Sequence, residues 1–199
     1  MMNKNKESHI GNYFKKRTYT FRTFFKDLVK IIRKRNQIKD SNHSNKVSRK
    51  FSEHIMLVVT SINDCIYCEW GHVNWAKQEG STEAEIAGLL SLNFGNLPSE
   101  ETVALSFAQH YAETLGHPSP EAKNRLIKEY GVEKAQSIIA RCDMITVGNL
   151  LGNSISAFLS RLHGKPPEHG SLGFELFVFV FGGFWMDRMM QKSNKPYSE

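Results

Sequence analysis

Two thiols and an imidazole lie within a short stretch of this chain: Cys65-Ile66-Tyr67-Cys68 is followed by His72. Asn63-Asp64 comes just before and interrupts an apolar run, which places the cysteines in the first turn of a new helix. The free N–H groups and the positive dipole end of a helix start favour thiolate over thiol. Three positions apart, Cys65 and Cys68 share one helix face, so they can close a disulfide or relay a mixed one. Four positions apart, Cys68 and His72 also share a face, so the imidazole can take the thiol proton or stabilise the thiolate. The nearby imidazole nominates Cys68 as the activated sulfur, and the helix terminus alone nominates Cys65. The first assignment is preferred, with the second kept open.

Glu53 belongs to the preceding helical pattern, beside Ile55 and Met56. A tight turn at Asn63-Asp64 would run the two helices antiparallel. Glu53 would then reach His72 and orient its ring, as a carboxylate does in a nucleophile–base–orienter relay. Two other readings use the same residues. Cys65, Cys68, His72 and Glu53 could ligate zinc, although three of them crowd two turns of one helix and no second ligand pair exists in the sequence. The dithiol could also serve a non-enzymatic redox-sensing or partner-binding module. Cys142 lies in an apolar helical pattern and reads as a buried structural thiol. Trp70 and Trp75 read as packing residues, Asn149 and Asn153 as groups capping or bridging helices near the site. His110, His117, His163 and His169 read as surface or helix-end groups.

The stretch from Glu53 to Thr60, followed by Asn63-Asp64-Cys65-Ile66-Tyr67-Cys68-Glu69-Trp70-Gly71-His72, resembles the alkylhydroperoxidase AhpD-like members of the carboxymuconolactone decarboxylase family. The likeness continues through Ala76, Gly80, the Glu83–Leu90 segment, Phe107-Ala108 and Gly148-Asn149-Leu150-Leu151-Gly152-Asn153, from about Arg49 to Gly164. It implies an all-α fold that associates into trimers or hexamers. It also implies hydroperoxide reduction by thiol chemistry, with no metal or other cofactor. In that scheme Cys68 is the peroxidatic thiol, Cys65 resolves it, Glu53 and His72 form the proton relay, and an external dithiol restores the pair. Tyr67 stands where AhpD proteins often carry a histidine.

The elements that must position these groups read as helices. Phe21, Phe24, Phe25, Leu28, Val29, Ile31 and Ile32 recur at helical spacing, with Lys26, Lys30, Arg33 and Lys34 on the other side. Residues 1–17 read as a loosely ordered lead-in and 37–45 as a polar loop. A helix follows from about Asn45 to Ile62, then one from Cys65 to Glu79 stopped by Gly80. Thr82 and Glu85 form a capping box. Pro98-Ser99-Glu100-Glu101 opens a helix ended by Gly116. Ser119-Pro120 opens another closed by Gly131, and a long pattern runs from Val132 to Leu162, which Gly148 and Gly152 bend or allow to pack closely. The apolar stretch Leu172–Met186 has strand-like composition at 176–181. Interrupted by Glu175 and too short for a confident membrane span, it reads as a packed helix or an oligomer contact. The organisation expected is a basic extension over 1–44, a helical domain over 45–165, and an apolar helix and tail over 166–199.

Charge is unevenly distributed. Residues 1–50 hold fifteen Lys and Arg against three acids, while the remainder holds eleven against seventeen. A membrane surface or an acidic partner could meet the basic part, but a solvated helix face is the preferred reading. No aromatic-basic interleaving or groove-binding motif supports nucleic acid. Three cysteines are too few for a disulfide scaffold, and the first seventeen residues lack the apolar core of a secretory signal, so a cytoplasmic protein is expected.

Overall fold

The computed structural model describes residues 14–35 and 47–193, with side chains through 182. Seven α-helices are present among them: α1 (Phe21–Arg33), α2 (Arg49–Asn63), α3 (Ile66–Gln78), α4 (Glu83–Leu90), α5 (Thr102–Glu113), α6 (Pro120–Leu162) and α7 (Leu172–Ser193). Short 3₁₀ turns at Phe94–Asn96 and Ser99–Glu101 join α4 to α5. No strand occurs among the described residues, only an isolated bridge between Phe14 and Pro167. The expected all-α class is therefore observed.

Helix α2 is the central element. Ser48 caps it by accepting from the Phe51 N–H at 3.1 Å, so it starts later than the expected Asn45. Capping by a short hydroxyl satisfies one of the four orphan donors of a helix start. Its Phe51, Ile55, Leu57, Val58 and Val59 are all buried. They pack into one apolar cluster with Leu105 and Ala108 of α5 and Ile138 and Cys142 of α6. Asp64, at φ 54° and ψ 45°, ends α2 in the left-handed region, a conformation Asp adopts more readily than most residues. That turn sends α3 back along α2 in the antiparallel arrangement expected.

Gly131 (φ 73°) breaks α6 where the sequence suggested one helix closing and another opening. The long C-terminal part of α6 then runs past α2 and α3. A second apolar cluster ties α6 to both ends of the chain: Leu150 and Ile155 meet Tyr19, Phe174 and Val178, with Phe24 and Tyr67 against them. The strand-like 176–181 segment is thus helical, because its alternate turns find this cluster. Glu175, which interrupts the apolar stretch, is fully buried and accepts from Arg161 Nε at 2.5 Å. A buried carboxylate needs such a partner, and this one fixes the start of α7 against the end of α6.

The end of the expected loose lead-in is held in place. Phe14 N–H donates to Pro166 O at 3.1 Å, Lys16 Nζ donates to Asp64 O at 2.8 Å, and Arg17 reaches Asn63 Oδ1 at 3.4 Å. Residues 1–13 and the expected 37–45 loop lie outside the described residues. Helix α1 is anchored by Lys30 and Lys34, which converge on the buried Asp143 of α6, a carboxylate that also accepts from Tyr111. Burial would raise the Asp143 carboxyl, but the two lysines and the phenol hold it below the usual range.

Candidate active site

Cys65 is the N-cap of α3, fully buried, with its sulfur accepting from the Cys68 N–H at 3.4 Å. Both cysteines are free thiols, with sulfurs 2.7 Å apart. Asp64 sets this arrangement, because its left-handed turn delivers Cys65 to the open end of α3. The two sulfurs share a hydrogen bond, and that bond is the main cause lowering the Cys65 pKa. Burial opposes it, while the N–H groups of Cys68 and Tyr67 and the charge of Lys16 assist. Cys68 is raised by the same hydrogen bond to Cys65, then by burial, then by the proximity of Cys65 as a charge. The downward shift falls on Cys65, the sulfur at the helix terminus.

Access favours the other sulfur. A cavity of about 420 Å³ opens beside α3, and Cys68 and His72 line it while Cys65 does not. Its walls are apolar: Trp70 and Trp75 from α3, Ile145 and Leu151 from α6, Phe177 and Phe181 from α7. The two tryptophans therefore face the cavity rather than only packing inside the protein. The sulfur whose pKa is lowered and the sulfur open to a small molecule are different, and 2.7 Å separates them.

The expected relay partners meet. His72 Nδ1 lies 2.6 Å from Glu53 Oε2, across the α2–α3 pair. Trp75 stacks edge-on against the ring at 4.9 Å between centroids. Fixing Nδ1 on the carboxylate leaves Nε2 for the cavity side. His72 makes no hydrogen bond to either sulfur in this state. Of the four sequence-nominated residues, Cys65 pairs with Cys68, Glu53 pairs with His72, and Cys68 and His72 share the cavity wall. Among the described residues, no group of three or more His, Cys, Asp and Glu is disposed to hold a metal ion.

Groups from α6 complete the surroundings. Asn149, fully buried, donates to Thr60 Oγ1 at 3.0 Å, accepts from Asn63 Nδ2 at 3.1 Å, and hydrogen-bonds the Cys68 sulfur, which partly offsets the upward shift of that thiol. Asn153 donates to Asn63 O at 2.8 Å and so ties α6 to the turn before the dithiol. The bridging role expected of these two asparagines is realised. Gly152 has a sharper function: a Cβ there would lie 2.6 Å from Cys65 Sγ and 3.7 Å from Cys68 Sγ. Only a hydrogen lets α6 lie directly on the dithiol. Cys142 is buried as expected, with burial raising its thiol far above the reactive range.

Several contributors were not nominated from the sequence. Arg141 is buried near Glu53: burial lowers its guanidinium pKa and the Glu53 charge counteracts that. Phe177, Val178 and Phe181 bring the C-terminal helix to the cavity. His110, read as a surface or helix-end group, lies in the last turn of α5, accepts from the Ser119 N–H at 3.1 Å and holds the α5–α6 connection. His54 sits between Glu101 Oε2 (2.6 Å) and Ser81 Oγ (2.9 Å), an order of groups known from acyl-transfer relays. Ser81 is 8% exposed and lies outside the cavity, and its own N–H is bonded to Ala76 O, so this trio ties α2 to the connections flanking α4 and α5.

No curated protein and no solved structure matches the chain. Residues 34–93 match the model of the carboxymuconolactone decarboxylase family, a span that includes Glu53, Cys65, Cys68 and His72.

Proposed function

We infer that this protein is a thiol-dependent peroxidase that reduces hydroperoxides through Cys65 and Cys68. The observation that carries the reading is the placement of Cys68 and His72 on one apolar cavity, with Glu53 behind the imidazole and Cys65 behind the sulfur. A decarboxylase has no evident use for a second thiol 2.7 Å from the first.

The proton shared by the sulfurs passes from Cys68 to Cys65, which exposes a Cys68 thiolate to the cavity. That thiolate attacks the terminal peroxide oxygen and the O–O bond breaks. Cys68 becomes a sulfenic acid, and the departing alkoxide takes a proton from His72, whose charge Glu53 stabilises. Cys65 then displaces water from the sulfenic sulfur and forms the disulfide. The balance is one hydroperoxide and two thiols giving one alcohol, one water and one disulfide. An external dithiol returns the pair to its reduced form.

Thiol titration and intact mass, before and after one equivalent of an organic hydroperoxide, test this. Loss of both site thiols, reversed by a dithiol, is expected, with Cys142 unchanged. Site thiols inert to peroxide would refute the reading. A redox-sensing module would form the same disulfide but not turn over with excess peroxide and dithiol.

A further inference from the structure

We propose that the face formed by α1 and α7 docks on an anionic lipid bilayer, and that the cavity receives hydroperoxides of that bilayer's acyl chains. The proposal rests on the peroxidase reading for its substrate, but not for its surface.

Helix α1 buries none of its residues fully. Its inner side is taken up by Lys30 and Lys34 on Asp143 and by Phe24 on Tyr19 and Phe174. The opposite side is apolar and exposed: Phe21, Phe25 (55%), Val29 and Ile32 (51%) follow one another at four- and three-residue steps. Arg22, Lys26 and Arg33 are exposed along one edge of that stripe. An apolar stripe edged by cations is the pattern of helices that lie in a membrane interface. Asp27, the sole acid of α1, accepts from the Tyr19 hydroxyl at 2.8 Å, on the side of the helix away from that edge.

Helix α7 extends the same surface. Phe21 contacts Phe174 and Phe177 at 5.1 and 5.9 Å, and Phe177 contacts Phe181 at 5.0 Å. Leu176, Phe177, Val180 and Phe181 are all exposed, Phe181 by 69%. Phe177 and Phe181 also line the Cys68 cavity. The apolar surface therefore continues from α1 to the cavity mouth, so a bilayer on this face would present acyl chains to Cys68. A membrane span is a different arrangement: no helix among the described residues is long and apolar enough to cross one.

Other occupants fit less well. A two-fold contact between copies would bring Arg22, Lys26 and Arg33 against their own equivalents with no exposed acid on α1 to offset them. The neighbouring segments 1–13 and 36–46 are hydrophilic (Asn-Gln-Ile-Lys-Asp-Ser-Asn-His-Ser-Asn-Lys in the second) and poorly suited to cover a phenylalanine surface. Anionic headgroups match the cations, and acyl chains match the stripe.

The test uses the full chain with vesicles of phosphatidylcholine, alone or with one third phosphatidylglycerol. Binding is expected only with the anionic lipid and should weaken with salt. F25S with I32S, neither residue lining the cavity, should reduce binding by about tenfold or more, since two half-exposed apolar side chains lose their burial in lipid. The same variant should lose turnover of linoleoyl hydroperoxide held in those vesicles and keep turnover of soluble tert-butyl hydroperoxide. Equal binding to neutral and anionic vesicles, or an unaffected variant, overturns the proposal. So does sedimentation showing that F25S with I32S dissociates an oligomer of the parent protein, since a second copy would then cover this face. Anionic-vesicle binding without turnover of either peroxide would uphold the surface and refute the peroxidase reading and its substrate.

Discussion

Replacing Gly152 by alanine tests how the dithiol is held. The added Cβ would stand 2.6 Å from Cys65 Sγ, with Tyr67 Cδ2 at 3.6 Å and Cys68 Sγ at 3.7 Å. Ordinary contact for such atoms is about 3.5–4.0 Å, so roughly 1 Å must be gained by moving Cys65 or lifting α6. Overpacking of this kind costs about 1–3 kcal/mol, while alanine in place of glycine inside a helix returns about 1 kcal/mol. The expected net loss is about 0–2 kcal/mol by urea denaturation. Function should suffer more than stability. Cys65 is a buried N-cap whose sulfur accepts from the Cys68 N–H and shares a hydrogen bond with the Cys68 sulfur, so displacing it disturbs thiolate stabilisation and disulfide closure together. Stopped-flow measurement of disulfide formation after peroxide addition should show at least about a tenfold slowing, the effect of about 1.4 kcal/mol on a barrier. Gly148→Ala is the stability control, because its nearest contact is Ile145 Cδ1 at 4.0 Å. It should be neutral or stabilising by up to about 1 kcal/mol. If Gly152→Ala forms the disulfide at the parent rate with an unchanged thiol titration, the close approach of α6 has no functional role.

Three further outcomes follow from the same geometry. Cys68→Ser should abolish peroxide-dependent oxidation, and Cys65→Ser should leave a trapped sulfenic acid detectable by intact mass; the reverse pattern would assign first attack to Cys65, the sulfur whose pKa is lowered. His72→Gln should slow peroxide reduction by about 10²-fold, the lower end of general acid–base contributions, and flatten its pH profile; an unchanged profile would remove the imidazole from the mechanism. Asp143→Asn should loosen α1, at a cost of about 2 kcal/mol, discounted because Lys30 and Lys34 remain about a third exposed. Since the folded carboxyl is held below its usual value, its contribution is complete above the ordinary Asp pKa of about 3.9 and disappears as pH falls through the depressed value. The protection factors of α1 amides, taken against the intrinsic exchange rate at each pH, should therefore fall at acid pH in the parent and already at neutral pH in the variant. Equal protection in the two proteins at neutral pH would show that the lysine clamp does not hold the helix.

The helices were legible in the sequence because their signals are local. Ser119-Pro120, the Thr82–Glu85 box and the turn at Asn63-Asp64 each act within one helical turn, and apolar spacing reports a buried face without saying what covers it. The dithiol and its imidazole were legible for the same reason: three- and four-residue separations on one helix have a fixed geometry. Even Glu53 near His72 followed from local rules, since a tight antiparallel turn places an earlier residue beside a later one. The start of α2 was misplaced because Val47 is buried but not helical, and apolar periodicity alone does not distinguish the two.

What needed the tertiary structure was every contact made by distant parts of the chain. The sequence could suggest that Gly152 allows close packing, but not that the packed atom is the Cys65 sulfur. It could not place Phe177 and Phe181 on the Cys68 cavity, because their pattern is equally that of a strand or a buried helix. It could not show that Lys30 and Lys34 turn inward to Asp143, which leaves the stripe from Phe21 to Ile32 exposed instead of covered. The access given to Cys68 and denied to Cys65 is likewise tertiary. Local spacing sets which groups can meet, but burial by α6 and α7 decides which sulfur is shielded and which faces the cavity.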